Sequence, residues 1–246
     1  MRIAAMSDIH GNLWALEAVL ADIARRGADV IVNLGDIVSG PLLPGETADR
    51  LMALALPTIA GNHERQVLTH APERMGASDL YAHQQLTQKQ REWLAGLPAT
   101  LRLNADVQMV HGTPGSDLIY WLETVTEPQG MRPATHAEVV ERAAGAEAPL
   151  VLCGHTHVPR AVQLEDGRLI VNPGSVGLQA YDDDMPYPHV VENGTPHARY
   201  ALLEKGDAGW RVELVAVPYD FRAAAELAER NGRPDWAVAL RTGRMG

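Results

Sequence analysis

The chain has 246 residues, of which 46% are hydrophobic, and a formal net charge of −10. This hydrophobic content permits a large core, whereas the negative charge disfavours nucleic-acid partners, which are bound by clustered Lys and Arg. A single cysteine, Cys153, excludes an internal disulfide. Since no apolar stretch approaches the length of about 20 residues that a membrane span needs, the sequence predicts a soluble cytoplasmic protein with no membrane partner.

The first elements predict a β-α-β unit. An apolar run from Arg2 to Ser7 is the first predicted strand, and therefore no signal peptide is expected. A helix is predicted from Asn12 to Gly27, with leucines at helical spacing, and a second strand from Asp29 to Leu34. The crossover implies a parallel pair. Asp8 and Asp36, which follow the two strands, should therefore emerge at the same edge of the sheet.

Three later apolar runs also end in polar residues and glycines. The runs are Thr58 to Ala60, Val107 to Val110 and Pro149 to Cys153. The side chains that follow the five runs, and that could bind a metal, are Asp8, His10, Asp36, Asn62, His111, His155 and His157. Sites in open α/β folds lie outside the ends of such strands. A mixture of carboxylate, amide oxygen and imidazole favours Mn, Fe, Zn, Co or Ni over Ca or a thiolate site.

The five motifs occur in a fixed order: D-x-H, G-D, G-N-H-E, a single His before Gly, and G-H-x-H. Each is common by chance, but the ordered series resembles the calcineurin-like metallophosphoesterases from Met1 to about Ser175. The resemblance implies an α/β (α+β) fold in which two packed mixed β-sheets are flanked by helices as a four-layer sandwich. Because no linker or repeat interrupts the sequence, a single domain over residues 1–246 is predicted.

The resemblance also implies a site with two divalent transition metal ions. Asp8, His10, Asp36 and His157 would bind the first ion. Asp36, Asn62, His111 and His155 would bind the second, so that Asp36 bridges the two. A metal-bridging hydroxide would then attack phosphorus in line. His63 would act as the catalytic residue by protonating the leaving oxygen or stabilising the transition state, unless it only orients Asn62.

The sequence departs from the motif G-D-x-x-D-R-G of the protein-phosphatase branch of this family. Ser39 and Gly40 occupy the positions of the second Asp and the Arg. This disfavours a Ser/Thr protein phosphatase and leaves open which group orients His63. Gly40 and Pro41 instead resemble the prokaryotic small-substrate branch.

The implied activity is therefore hydrolysis of a small phosphomonoester, phosphodiester or nucleotide. The first alternative, a nuclease of the same fold, is disfavoured by the acidic composition. The second alternative is a non-catalytic scaffold, as in the retromer subunit that keeps this fold without the full ligand set. It is disfavoured because every ligand position is filled.

The rest of the chain predicts further helices and hairpins. Helices are predicted at Glu46 to Leu54, Leu80 to Gln85, Gln88 to Ala95, Thr135 to Ala144, Phe221 to Arg230 and Pro234 to Leu240. Hairpins are predicted at Leu101 to His111, Arg160 to Asn172 and Ala198 to Val217. The antiparallel strands after residue 160 suggest a second sheet packed on the first. The helices between residues 80 and 95 could either cap the site or only cover the sheet, and covering is favoured.

Two segments are predicted as loops, Thr113 to Pro133 and Gln179 to His197. Tyr120 and Trp121 in the first segment either form a substrate wall or pack the loop against the core. In the second segment, the acids at 182–184 are interpreted as solvated, and Tyr181, Tyr187 and His189 are candidate substrate contacts. The remaining histidines are predicted to be structural, and they are His70, His83, His136, His189 and His197.

Overall fold

The computed structural model describes residues 1–128 and 130–246. Its strands are β1 (Arg2–Met6), β2 (Val30–Asn33), β3 (Leu101–Arg102), β4 (Val107–Met109), β5 (Glu123–Thr126), β6 (Gly130–Pro133), β7 (Leu150–Leu152), β8 (Arg160–Gln163), β9 (Leu169–Asn172), β10 (Ala180–Asp183), β11 (His189–Glu192), β12 (Ala198–Gly206) and β13 (Gly209–Val217). Its helices are α1 (Leu13–Arg26), α2 (Pro44–Leu54), α3 (Asn62–Thr69), α4 (Ala77–Gln85), α5 (Gln88–Ala95), α6 (His136–Glu141), α7 (Phe221–Arg230) and α8 (Pro234–Thr242), with a 3-10 turn at Pro72–Arg74.

Two mixed sheets form the centre of the fold. The first has the strand order β13-β12-β1-β2, and the second has the order β3-β4-β7-β9-β8. In the first sheet β1 is parallel to β2, and in the second β4, β7 and β9 run parallel. The remaining strands form two small hairpins, β5–β6 and β10–β11. The parallel strands bring the ends of β1, β2, β4 and β7 to the edges where the polar motifs follow.

The alternation of side chains along β1 explains the layers. Ile3 and Ala5 are buried in a core with Val107 and Leu152 of the second sheet. Ala4 and Met6 face the opposite way and pack with residues of α1, α2, α3, α4 and α5. A strand that is apolar on both faces is typical of a sheet covered on both sides. The outer face of the second sheet packs against α6 through residues such as Val151. The predicted four-layer fold is confirmed.

The β-α-β unit forms as the sequence predicts. The Asn12 side chain accepts a hydrogen bond from the Ala15 N–H and thereby caps α1. The helix ends at Gly27, whose φ of 78° a residue with a side chain rarely adopts. The crossover then returns to β2, which pairs in parallel with β1.

One prediction about the sheets is wrong. The hairpin β12–β13 does not belong to a separate second sheet, because β12 pairs antiparallel with β1 and extends the first sheet. The hairpin β8–β9 instead joins the second sheet beside β7. Each sheet therefore combines strands from both halves of the chain, a pairing that local sequence patterns do not encode.

Three local predictions also need correction. Thr58 to Ala60 does not form a strand but makes a single parallel bridge from Thr58 to Asn33. The motif after it opens a helix, α3, which the sequence reasoning missed. The two predicted loops each contain a short hairpin, β5–β6 and β10–β11. These strands have four residues each, too few for a clear alternating pattern between Pro and Gly residues. Gln129 of the first loop lies outside the described residues.

Within residues 1–128 and 130–246, no helix is both long and apolar enough to cross a membrane. The cytoplasmic location and the single domain stay predictions.

Candidate metal centre

The loops that follow β1, β2, β4 and β7 meet at one place. The Asp8 N–H donates to the Gly35 carbonyl (3.0 Å), and the His10 N–H donates to the Asp36 carbonyl (3.0 Å). The Gly154 N–H donates to the His111 carbonyl across the second sheet (2.7 Å). Backbone hydrogen bonds therefore fix the loops from both sheets relative to each other.

Two groups of side chains converge there. Asp8, His10 and His157 form one group, and Asp36, His111 and His155 form the other. Within each group the potential ligand atoms lie within 4.8 Å of one another. Asn62 adjoins the second group, because its Oδ1 lies 3.1 Å from His111 Nε2. The structure thus brings together every metal ligand that the sequence predicts.

The ring orientations in the first group suit a cation. The Nδ1 atoms of His10 and His157 face the carbonyl oxygens of Ser39 and Leu178, at 2.7 and 2.8 Å. A carbonyl oxygen can only accept, so each Nδ1 carries the proton. In the neutral rings both Nε2 atoms then present lone pairs, and they lie 3.0 Å apart. A metal ion accepts electron density from both, and such carbonyl contacts are typical of metal-binding histidines.

The second group has the same character. His111 Nδ1 faces the Leu34 carbonyl at 2.7 Å, which leaves Nε2 toward Asp36 Oδ2 at 3.0 Å and toward Asn62. His155 Nε2 faces the Leu118 carbonyl at 3.2 Å, which leaves Nδ1 as the free nitrogen. When His111 is neutral, carboxylate, amide and imidazole acceptors face one another here, an arrangement that a divalent cation stabilises.

Burial and charge set the protonation of these groups. Burial raises the pKa of the Asp36 carboxyl, but His111 and His63 outweigh it and hold the pKa well below its usual range. Burial lowers the pKa of His10 to about 4, assisted by His157. Burial likewise lowers the pKa of His155 to about 3. His10 and His155 are therefore neutral at pH 7, the form in which imidazole binds a metal.

His111 differs, because burial opposes its charged form while the Asp36 carboxylate beside it raises the pKa to about 10. The two aspartates are almost fully enclosed, with 0% exposure for Asp8 and 1% for Asp36. Buried carboxylates are costly unless a positive charge compensates them. Additional positive charge, such as that of a bound cation, would therefore stabilise the site.

The backbone of the site is strained. In the described part of the chain, six residues other than glycine have a positive φ, and five of them are metal-ligand candidates. These five, with φ between 52° and 70°, are Asp8, His10, Asp36, His155 and His157. Each such conformation costs about 1–3 kcal/mol and persists only where surrounding structure enforces it. Strain of this kind is typical of functional sites.

Two glycines of the motifs are required by close approaches. A Cβ on Gly61 would lie 2.2 Å from Asp36 Oδ1, and a Cβ on Gly154 would lie 2.0 Å from Ser7 Oγ. Any larger residue would therefore push a ligand loop out of position. This gives a physical reason for glycine in the motifs G-N-H-E and G-H-x-H.

His63 has a partner that sequence reasoning missed. Its Nδ1 lies 2.7 Å from Asp79 Oδ1, and the Ser39 hydroxyl donates to the same oxygen at 2.6 Å. Burial opposes the imidazolium, but the carboxylates of Asp36 and Asp79 raise the pKa of His63 to about 9. Asp79 lies in the first turn of α4, where an acid is ordinary, so no local signal marked it. The expectation that this helix only covers the sheet was wrong.

The substitution of Ser39 and Gly40 in the phosphatase motif now has a structural explanation. Ser39 reaches His63 through Asp79, which replaces the missing carboxylate of the loop. A Cβ on Gly40 would lie 2.6 Å from the His10 carbonyl and 2.7 Å from the Trp236 ring. No arginine fits at this position, so the phosphate-binding Arg of the protein phosphatases is excluded by packing.

Glu64, the last residue of G-N-H-E, holds two ligand loops together. Its carboxylate accepts from the N–H groups of Asp36 (2.8 Å), Ile37 (2.7 Å) and Gly61 (2.8 Å). It is fully buried, and its burial together with the charge of Asp36 raises its pKa. Although Glu64 is part of the motif, its position in the sequence alone does not reveal this role.

A cavity of about 860 Å³ opens above both groups of ligands. His63 and Asp79 line it, as do Tyr120 and Tyr181 from the two segments predicted as loops. Tyr120 lines the cavity, whereas its neighbour Trp121 is 1% exposed and belongs to the core. The core alternative is confirmed for Trp121, and a substrate wall at Tyr120 stays a prediction.

The other histidines lie apart from the ligands. The described residues that line the cavity do not include His70, His83, His136 or His197. His189 is buried behind the cavity wall, where its Nε2 lies 3.1 Å from the Tyr120 hydroxyl. It supports the wall rather than joining the ligand groups.

Comparisons with known proteins agree with this geometry. The family model of the calcineurin-like phosphoesterase superfamily domain matches residues 1–191 and confirms the predicted resemblance. The uncharacterized protein MJ0912 of Methanocaldococcus jannaschii is 30% identical over 248 residues, which cover 95% of this chain and 94% of that protein. A crystal structure of a metallophosphoesterase from Sphaerobacter thermophilus has a TM-score of 0.74 and 27% identity and covers 98% of each chain.

A shorter similarity extends to an enzyme with a named activity. The phosphodiesterase YfcE of Escherichia coli K12 is 39% identical over 85 residues, which cover 29% of this chain and 46% of that protein.

Proposed function

The chain belongs to the calcineurin-like phosphoesterase superfamily and is a phosphoric ester hydrolase, and we propose that it cleaves small phosphodiesters or phosphomonoesters at two divalent transition metal ions. The observation that carries this proposal is the convergence of carboxylate, amide and imidazole acceptors in two groups. Their chemistry suits Mn, Fe, Zn, Co or Ni. When bound, the ions supply an activated water for in-line attack and neutralise charge on the phosphoryl oxygens.

The residues have separate roles in this proposal. Asp8, His10 and His157 would hold one ion, and Asn62, His111 and His155 would hold the other. Asp36 would be shared between them, because its Oδ2 lies 3.0 Å from His111 Nε2 and its backbone carbonyl accepts a hydrogen bond from the His10 N–H. A carboxylate has two oxygens and can bind both ions, which an imidazole normally cannot do.

His63 is the proposed general acid. Asp79 accepts from Nδ1–H, so the proton on Nε2 is the one available to the cavity. Transfer of this proton to the leaving oxygen would prevent the release of an unstable alkoxide. Asp79 fixes the orientation of the ring and favours the charged form that carries the transferable proton.

Removal and return of metal test the proposal. The protein is stripped with a chelator, dialysed and divided, and one half is reloaded with Mn²⁺. We expect hydrolysis of bis(p-nitrophenyl) phosphate or p-nitrophenyl phosphate only in the reloaded half, with about two ions per chain by elemental analysis. Equal turnover in the two halves, or a fully loaded sample that cleaves neither ester, would contradict the proposed function.

A further inference from the structure

Several of the side chains that line the cavity are apolar and exposed. Leu118 is 52% exposed, Ile119 is 49% exposed and Met185 is 71% exposed, and all three line the cavity. A cluster of large, exposed apolar side chains is typical of a binding surface, whereas single exposed apolar residues are ordinary. The cavity is also far larger than a single phosphoryl group needs, at about 860 Å³.

Two tyrosines connect this apolar surface to the metal ligands. The Tyr120 ring packs edge-on against His155, with centroids 5.0 Å apart, and the Tyr181 ring packs against His157 at 4.7 Å. Their hydroxyl groups are hydrogen-bonded to each other at 2.7 Å. We call the surface formed by Leu118, Ile119, Tyr120, Tyr181 and Met185 the apolar wall. A group bonded to a phosphate at the metal centre would lie beside it.

The charges of the cavity limit the phosphate it can take. Its only cationic residues besides histidine, within the described chain, are Arg142 and Arg233. Arg142 already donates to three backbone carbonyls and to the Thr124 hydroxyl. Arg233 donates to the Asp235 carboxylate and to a serine hydroxyl. Neither arginine is free to bind a second phosphate.

Carboxylates predominate among the remaining charged residues of the cavity. Asp182, Asp183 and Asp235 all line it. Glu123 also lines it and is buried, with its Oε1 3.8 Å from Arg160 Nη1. Like charges repel, so a substrate with little negative charge beyond the reacting phosphoryl group is favoured.

We propose that the cavity selects a phosphodiester with a single negative charge and with a bulky aromatic or apolar ester group that contacts the apolar wall. The inference rests on the proposed function for the position of the phosphate at the metal centre. It goes further by distinguishing diesters from monoesters and polyphosphates, and large ester groups from small ones.

Binding of inert analogues tests this without turnover. Diphenylphosphinate and dimethylphosphinate each carry one negative charge, and their P–C bonds are not hydrolysed. With Mn²⁺-loaded protein in a titration calorimeter, we expect diphenylphosphinate to bind about 10–100-fold more tightly, because each phenyl ring buries more apolar surface than methyl. Equal affinities would overturn the inference.

A matched pair of variants locates the contact. Leu118→Ser combined with Ile119→Ser should weaken diphenylphosphinate about tenfold and leave dimethylphosphinate unchanged. The control combines Val140→Ser with Leu214→Ser, since these residues are similarly exposed (46% and 41%) but do not line the cavity. The control should change the affinity for neither phosphinate. An equal loss of diphenylphosphinate affinity in both double variants would contradict a contact at the apolar wall.

Turnover separates the failure of this inference from the failure of the proposed function. Phenyl p-nitrophenyl phosphate should have a kcat/KM at least about tenfold above those of methyl p-nitrophenyl phosphate and of dianionic p-nitrophenyl phosphate. Comparable kcat/KM values for the three esters would overturn the inference and leave the proposed function standing. If the phosphinates bind with the expected preference but no ester is cleaved, the binding site stands and the proposed function fails.

Discussion

The metal centre and the apolar wall lie side by side but are held in place by different means. The ligands of the metal centre are fixed by backbone conformation and close packing, as in the contact of Gly61 with Asp36. The apolar wall is formed by the loop that precedes β5 and by the hairpin β10–β11, and the contact between them includes the hydrogen bond between the Tyr120 and Tyr181 hydroxyl groups. The positions of the candidate metal ligands therefore depend on local backbone conformation. The selection of the ester depends instead on segments that are distant from each other in the sequence.

The energies of the two regions differ accordingly. Each of the strained ligand residues costs about 1–3 kcal/mol, and only the surrounding cores and backbone hydrogen bonds can offset this. A hydroxyl–hydroxyl hydrogen bond in the wall contributes about 1 kcal/mol net. Substitutions at the metal centre should therefore have large effects on all substrates, and substitutions in the wall should have small effects that depend on the ester.

The largest effect is expected for Asp36→Asn. The amide removes the negative charge that is proposed to bridge two ions, so both metal content and kcat/KM should fall, the latter by about 10⁴-fold for every ester. Elemental analysis and hydrolysis of bis(p-nitrophenyl) phosphate measure the two quantities. His136→Ala is the control and should change neither. Full metal content in Asp36→Asn, or inactivity of His136→Ala, would show that the ligands were wrongly chosen.

The sequence predicts which candidate ligands converge, because the determinants of their position are local. Each ligand follows an apolar run, and the glycines that permit close approach lie beside the ligands, as Gly154 lies beside His155. Parallel pairing of β1 and β2 then brings Asp8 and Asp36 together without further information. The helices with clear caps, such as α1 after Asn12, are predictable for the same reason.

The rest depends on contacts between distant segments. Asp79 lies 16 residues beyond His63 on another helix, and nothing in its neighbourhood distinguishes it from an ordinary acid at a helix start. Tyr120 and Tyr181 are 61 residues apart, and only the tertiary fold brings their hydroxyl groups together. The pairing of β12 with β1 likewise joins the two ends of the chain.

The second-largest effect is expected at His63. His63→Asn removes the proposed proton donor but no metal ligand, so kcat should fall about 10³-fold while metal content stays at the wild-type level. The loss should be smaller for p-nitrophenyl esters than for alkyl esters, because p-nitrophenolate hardly needs a proton. Parallel kinetics on the two ester types and metal analysis provide the measurement.

The same experiment can contradict the proton-transfer role. An equal loss for both leaving groups would indicate charge stabilisation by the imidazolium instead. Loss of one ion in proportion to the activity would indicate that His63 only orients Asn62, and its catalytic role would have to be withdrawn.

A smaller effect is expected for Asp79→Asn, which keeps the size of the side chain but removes the charge beside His63. We expect kcat to fall about 30-fold, within the range for residues that orient a catalytic group, while the ions stay bound. The control is Asp49→Asn, because Asp49 accepts a hydrogen bond from Gln90 and does not line the cavity. If Asp79→Asn has wild-type kcat with an alkyl ester, Asp79 does not support His63.

The smallest effect on catalysis is expected at Glu123, which is 2% exposed. Burial raises its pKa to about 7, although the Thr156 hydroxyl and the guanidinium groups of Arg160 and Arg142 oppose the rise. From an unfolded-state pKa of 4.5 up to pH 7, the folded protein retains a proton that the unfolded chain releases. The stability of the wild type should therefore decrease as pH rises through this window.

Glu123→Gln cannot ionise, so it should escape this loss. Relative to the wild type, its free energy of unfolding should increase by about 2 kcal/mol between pH 5 and pH 8. Urea titrations of both metal-loaded proteins at the two pH values measure the difference. Glu73 is exposed, so the free energy of unfolding of Glu73→Gln should have the same pH dependence as that of the wild type. If Glu123→Gln has the same pH dependence as the wild type, the buried carboxyl of the folded protein is ionised throughout this range.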